Sequence, residues 1–171
     1  MKSKQFWQQV FSDVVGNAIS GILIAALAFI TIDQFYRTPD LNGLWELEVE
    51  VNDTSYKAFK GLKVKYQVVL IQDELKLSGT GEKFSEISIE DEKEKELSGK
   101  LRTAIKLKGY IEKNIFSTNK VVIIIEEEGS IRRSSTFYRL DKVSDNRMEG
   151  KFDSTIAMAH GNAFWSRLKS N

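Results

Sequence analysis

Trp45-Glu46-Leu47-Glu48-Val49-Glu50-Val51 alternates an apolar side chain with a carboxylate at every step. A period of two places the apolar set on one face and the acids on the other, the pattern of a strand with one dry face and one wet one. The same period recurs downstream. Leu62, Val64, Tyr66, Val68 and Leu70 alternate with Lys63, Lys65 and Gln67 in a run to Gln72, and a tight Asp73-Glu74 turn leads into Leu75 to Phe84. Leu101, Thr103, Ile105, Leu107 and Ile111 alternate with Arg102, Lys106, Lys108 and Glu112. Asn114 to Asn119 then punctuates the chain before the β-branched run Val121 to Ile125. Gly129-Ser130 turns into Ile131 to Leu140, Ser144 to Arg147 turns into Met148 to Ala157, and His160-Gly161 precedes Asn162 to Leu168. Short connections between successive strands imply antiparallel neighbours, and about eight strands in this order predict an all-β fold, an antiparallel up-and-down barrel.

Ahead of these strands, Val14 to Ile32 is a stretch of 19 residues without a formal charge. A helix needs roughly 20 apolar residues to cross a bilayer about 30 Å thick, so the stretch reads as one N-terminal transmembrane helix. A cleaved signal peptide, suggested by Lys2, Lys4 and Ala26-Leu27-Ala28, and a buried amphipathic helix are the alternatives. Apolar residues run on through Phe29, Ile30 and Ile32, beyond the usual core of a signal peptide. The expected organisation is a short segment over 1–13, the helix over 14–32, a linker over 33–40 carrying Pro39, and a ligand-binding barrel over 41–171. Within the helix, Gly16 and Ser20, and Asn17, Gly21 and Ala25, recur at intervals of four. Small residues let helices approach closely in lipid, and Asn17 gains from a partner there, so membrane lipid and a second copy of this helix are the expected partners.

Composition excludes several functions. The chain of 171 residues has 25 lysines and arginines against 24 acids, too balanced for a duplex nucleic-acid footprint. With no cysteine and His160 as its one histidine, it lacks thiolate chemistry and the material for a zinc cluster. Neither a catalytic residue, a cofactor nor a metal site is assigned. Glu46 and Glu48 share an outward strand face, and Glu86 to Glu96 reads as a solvated loop whose lysines partly neutralise its acids.

The polar residues of interest are those that face into the barrel, whose interior is just wide enough for side chains or one small ligand. Arg132-Arg133-Ser134-Ser135-Thr136-Phe137-Tyr138 is the most polar strand. If Leu140 points inward, so do Arg132, Ser134, Thr136 and Tyr138; the other register offers Ile131, Arg133, Ser135 and Phe137. Guanidinium for phosphate, an aromatic face for stacking and hydroxyls for a base edge suit a compact nucleotide. Tyr66, Thr80, Lys83 and Asn162 complete the candidate ligand set. Ser78-Gly79-Thr80-Gly81-Glu82-Lys83 lacks the Walker spacing, and its glycines mark a bulge or a barrel corner.

Gly43-Leu44-Trp45 at the head of the first strand resembles the Gly-x-Trp signature of lipocalins and related calycin barrels. That resemblance implies that an arginine of the last strand, here Arg167, packs on Trp45 to close one end. An N-terminal membrane segment feeding a barrel that begins Leu41-Asn42-Gly43-Leu44-Trp45 and passes through Ser78 to Lys83 resembles the membrane-anchored β-barrel effectors of bacterial cyclic-oligonucleotide antiphage defence. This resemblance implies a receptor for a cyclic dinucleotide whose membrane segments assemble and damage the inner membrane. It also implies a cytoplasmic barrel, whereas Lys2 and Lys4 ahead of the helix against Arg37 behind it weakly favour the opposite orientation. Typical members carry two membrane helices where one is visible here. The alternative is a membrane-tethered, lipocalin-like binder of a small lipophilic ligand, or a structural interaction module.

Overall fold

In a computed structural model of the chain, the described residues are 15–16, 18–29, 38–89, 93–114, 117–129 and 133–169. The chain divides into two compact units, Met1–Arg37 and Thr38–Asn171. In the first, residues 15–16 and 18–29 are helical. The transmembrane helix expected over 14–32 is not reproduced at that length: among the described residues, no helix is long and apolar enough to cross a membrane. Positions 14, 17 and 30–32, Asn17 among them, lie outside the described residues.

The second unit is all-β. Its strands are β1 (Gly43–Asp53), β2 (Lys63–Asp73), β3 (Lys76–Ile87), β4 (Glu94–Glu96), β5 (Thr103–Glu112), β6 (Lys120–Glu128), β7 (Arg133–Ser144), β8 (Arg147–Ser154) and β9 (His160–Arg167). They pair in the order β2-β1-β9-β8-β7-β6-β5-β3-β4, and an additional β2–β3 pairing closes the sheet on itself. Every pairing is antiparallel. The result is a closed eight-stranded barrel of consecutive strands, with β4 as a short extra strand beside β3.

β4 falls inside the stretch expected to be a solvated loop. The Glu94 carboxylate accepts hydrogen bonds from Lys65 Nζ at 2.9 Å and Ser85 Oγ at 2.6 Å, so its charge is satisfied against the barrel. These two bonds, that from Ser85 first, hold the Glu94 carboxyl below its ordinary pKa.

Alternation sends Trp45, Leu47, Val49 and Val51 of β1 inward, facing Val64, Tyr66, Val68 and Leu70 of β2 in one continuous core. Leu77, Ile105, Leu107, Ile123, Tyr138, Leu140, Met148 and Trp165 continue it round the barrel. Ser78-Gly79-Thr80-Gly81 makes a tight approach between strands. A Cβ on Gly79 would run into the Val69 carbonyl oxygen, and one on Gly81 into that of Gln67. Glycine is therefore required where β3 coils against β2. The expected corner is accompanied by a bulge further on: Lys65 pairs with Ser85 but Tyr66 with Lys83, which leaves Phe84 as the extra residue.

Candidate functional site

The strands alternate in direction, so one barrel end gathers Gly43, Asp73, Lys76, Glu112, Lys120, Ser144, Arg147 and Arg167, and the other gathers the opposite strand tips. The first end is shut. The Arg167 guanidinium lies over the Trp45 ring at 4.9 Å and donates from Nη2 to the Asp40 carbonyl. The Trp45 indole N–H donates to the Leu41 carbonyl at 3.0 Å, and the Leu41 N–H donates to Gln72 Oε1 at 2.7 Å. Trp45, Leu41, Leu70, Leu140, Met148 and Trp165 beneath this plug are all buried. Trp45 and Arg167 thus occupy the barrel-closing positions that the calycin resemblance implies.

The opposite end holds a cup of about 180 Å³. Val49, Val51, Val64 and Phe152 supply apolar walls from the barrel, and Phe59 and Leu62 of the β1–β2 connection close over one side. Polar groups converge from several strands: Tyr66 from β2, Lys83 and Glu86 from β3, Glu127 from β6, Thr136 and Tyr138 from β7, and Ser154 from β8. The Tyr66 hydroxyl donates to Glu127 Oε2 at 3.3 Å across the interior, and Thr136 Oγ1 donates to Ser154 Oγ at 2.9 Å. Lys83 Nζ stands 3.6 Å from Glu86 Oε2. Burial, reinforced by the neighbouring Tyr138 and Glu127, holds the Tyr66 phenol well above its ordinary pKa. Burial also raises Tyr138, with the Glu127 charge adding to it and a hydrogen bond with Thr136 opposing. Both phenols are accordingly neutral at physiological pH.

Ala157 and Met158 in the β8–β9 turn have φ of 50° and 47°, in the left-handed region that non-glycine residues avoid. The Ala157 carbonyl accepts from Ser55 N at 2.8 Å, Ser55 Oγ at 2.7 Å and Thr54 Oγ1 at 3.0 Å, which ties this turn to the β1–β2 connection. The rim on that side is locked.

Leu140 points inward, which settles the β7 register in favour of Ser134, Thr136 and Tyr138. Of the expected ligand set, Tyr66, Lys83, Thr136 and Tyr138 meet in the cup. Ser134 is buried on the same face one step nearer the rim, without lining the cup. Arg132 lies outside the described residues, and Arg133 turns outward onto Glu128 at 3.1 Å. Two candidates lie away from the cup. Thr80 sits on the outer surface, in a groove of about 460 Å³ with Gln67, Val69 and Lys106. Asn162, between the inward Gly161 and Ala163, accepts from Lys151 Nζ at 2.5 Å on the outside of the barrel. The sequence reading missed Glu127. Counting alternate residues from Val121, Ile123 and Ile125 would have found it, but Glu126-Glu127-Glu128 reads as a solvated acidic tip.

A scan of protein-family models and searches of curated proteins and of solved structures return no match. The site is therefore read from its own chemistry.

Proposed function

We propose that the chain is a membrane-attached receptor whose barrel takes part of a small nucleotide signal into its open end and passes occupancy to the N-terminal segment. The observation that carries this reading is the convergence of Tyr66, Tyr138, Thr136, Lys83 and Glu127 on one cup of about 180 Å³ beside apolar walls. A cavity of about 150 Å³ takes a benzene-sized molecule, so this cup suits a single ring system and leaves the rest of the ligand outside. An aromatic and aliphatic wall for a base, hydroxyls for its edge and an ammonium near the mouth for phosphate are the groups such a ligand uses. The resemblance to membrane-anchored effectors of antiphage defence makes a cyclic dinucleotide the first ligand to test, with one base inserted and both phosphates at the rim.

Attachment is supported by the uncharged stretch 14–32 and by the exposed Ile19, Ile22, Leu23, Ile24, Leu27 and Phe29 on its described helical part. A Cβ on Gly16 or Gly21 would meet nothing within 4 Å, which leaves room there for a second copy. In this reading the barrel is cytoplasmic, the segment lies at the bacterial inner membrane, and ligand-driven self-association of that segment disrupts it.

The test is thermal melting of the full chain with cyclic dinucleotides and, separately, with fatty acids. A ligand that binds the native state raises the melting temperature by mass action, by about 2.7 kcal/mol of stability at a hundredfold excess over Kd. A rise with cyclic dinucleotides alone is expected. A rise with fatty acids alone would replace the proposal with a lipocalin-like carrier of a lipophilic molecule, which the apolar walls would also serve.

A further inference from the structure

Glu127 is a half-buried acid of the cup with few protein partners among the described residues. Its carboxylate faces apolar walls and neutral phenols, and among the described residues it takes part in no ion pair. Among the described residues its carboxylate accepts one hydrogen bond, from the Tyr66 hydroxyl to Oε2 at a long 3.3 Å. The nearest cation of the lining, Lys83, is engaged with Glu86. A carboxylate offers about four acceptor sites on two oxygens. Glu127 is half-buried, and with a single weak protein donor it leaves acceptor sites for water or a ligand to fill.

We infer that the cup selects guanine, and that the Glu127 carboxylate is the specificity-determining group. The inference rests on the nucleotide reading above and adds the identity of the base. Guanine presents two adjacent N–H donors, on N1 and on the exocyclic amino group, which match the two carboxylate oxygens in the manner of a charge-assisted bidentate pair. Hypoxanthine keeps only the N1 donor. Adenine turns an N1 lone pair toward the carboxylate, which repels it. The walls formed by Val49, Val64 and Phe152 accept the faces of the ring system, while Tyr66 keeps Glu127 oriented from the far side.

The test is calorimetric titration of the full chain with cyclic di-GMP, cyclic di-IMP and cyclic di-AMP, with benzamidine as a probe that carries paired N–H donors on a ring but no phosphate. The guanine ligand should bind roughly tenfold to a hundredfold more tightly than the hypoxanthine one, as expected for one hydrogen bond to a charged group. The adenine ligand should bind weaker still, and benzamidine should compete with cyclic di-GMP. Glu127→Gln keeps one acceptor and puts a donor where the second was, so it should abolish the preference for guanine over hypoxanthine. Tyr66→Phe, which leaves both carboxylate oxygens in place, should retain that preference. Equal binding of the three nucleotides, or a guanine preference that survives Glu127→Gln, would overturn the inference while leaving the nucleotide reading intact. Glu127-dependent binding of benzamidine with no binding of any nucleotide would overturn the nucleotide reading itself. If Glu127→Gln fails to fold, the base series on the unaltered chain still decides.

Discussion

The two ends of the barrel are made by the same eight strands and do opposite things. At the closed end, large apolar side chains fill the interior between inward glycines such as Gly79 and Gly150, the Trp45 indole donates to Leu41 and the Arg167 guanidinium to Asp40, and among the described residues the Trp165 indole N–H and Arg167 Nε are buried without a partner. At the open end, inward positions carry Tyr66, Glu127, Thr136 and Ser154, bonded as Tyr66–Glu127 and Thr136–Ser154, and Lys83, paired with Glu86, around a space that the side chains leave unfilled. Packing gives the closed end its stability, whereas the open end leaves polar groups facing an unfilled space. The strands thus divide along their length, with a packed tip at one end and an open, polar one at the other.

Trp45→Ala should break the comparison at its strongest point. Removing a fully buried indole beneath the arginine plug should lower stability by about 3–5 kcal/mol, measured by urea unfolding of the full chain, with affinity at the cup little changed once folded protein is selected. Tyr66→Phe and Tyr138→Phe act at the other end, through pH. Free phenols ionise near pH 10, whereas burial holds these two above that value in the folded state. The folded state therefore keeps protons that the unfolded chain releases. The stability contribution is complete below about pH 10 and is lost as pH rises beyond it, by about 1.4 kcal/mol per phenol per pH unit. The double phenylalanine variant should show a flatter alkaline limb in unfolding curves taken from pH 9 to 11. Arg167→Met keeps the aliphatic stem but removes the cation over Trp45 and the donor to Asp40, and should cost about 1–2 kcal/mol by the same unfolding measurement. Thr136→Val sharpens the contrast with the smallest change. Loss of the bond to Ser154 should cost about 1 kcal/mol or less, yet it should alter ligand affinity, which Arg167→Met should not.

How much of this was legible in the sequence depends on what marks the inward face. Where large apolar residues alternate, as in Trp45 to Val51 and Leu62 to Leu70, strand, face and neighbour all follow, and the barrel with them. The sequence left two registers of β7 open, and the inward Leu140 of the structure chooses between them, since a one-residue slip exchanges the faces completely. The outward placement of Thr80 and Asn162 was hard to read because their inward neighbours include Gly79, Gly81 and Gly161, which have no side chain to announce the core. In such strands the period of two is present but silent. Glu127 failed for the opposite reason: it is on the inward parity of β6, but three consecutive acids conceal the alternation. Lys83 keeps the inward parity of Leu77, Gly79 and Gly81, ahead of the bulge at Phe84, so it could be counted from Leu77.

β1 lies between β2, its neighbour in the chain, and β9, which reaches it only from the far end: Trp45 pairs with Arg167. Contacts separated by roughly 120 positions raise contact order and slow folding toward the millisecond-to-second range of all-β domains. During synthesis the hairpins from β1 to β8 have their partners available early, but the barrel cannot close until residues 160–167 have left the ribosome. Until then the outer edges of β1 and β8 are open, and an unpaired edge is a template for other chains. β9 is therefore the strand that converts an adhesive sheet into a closed barrel.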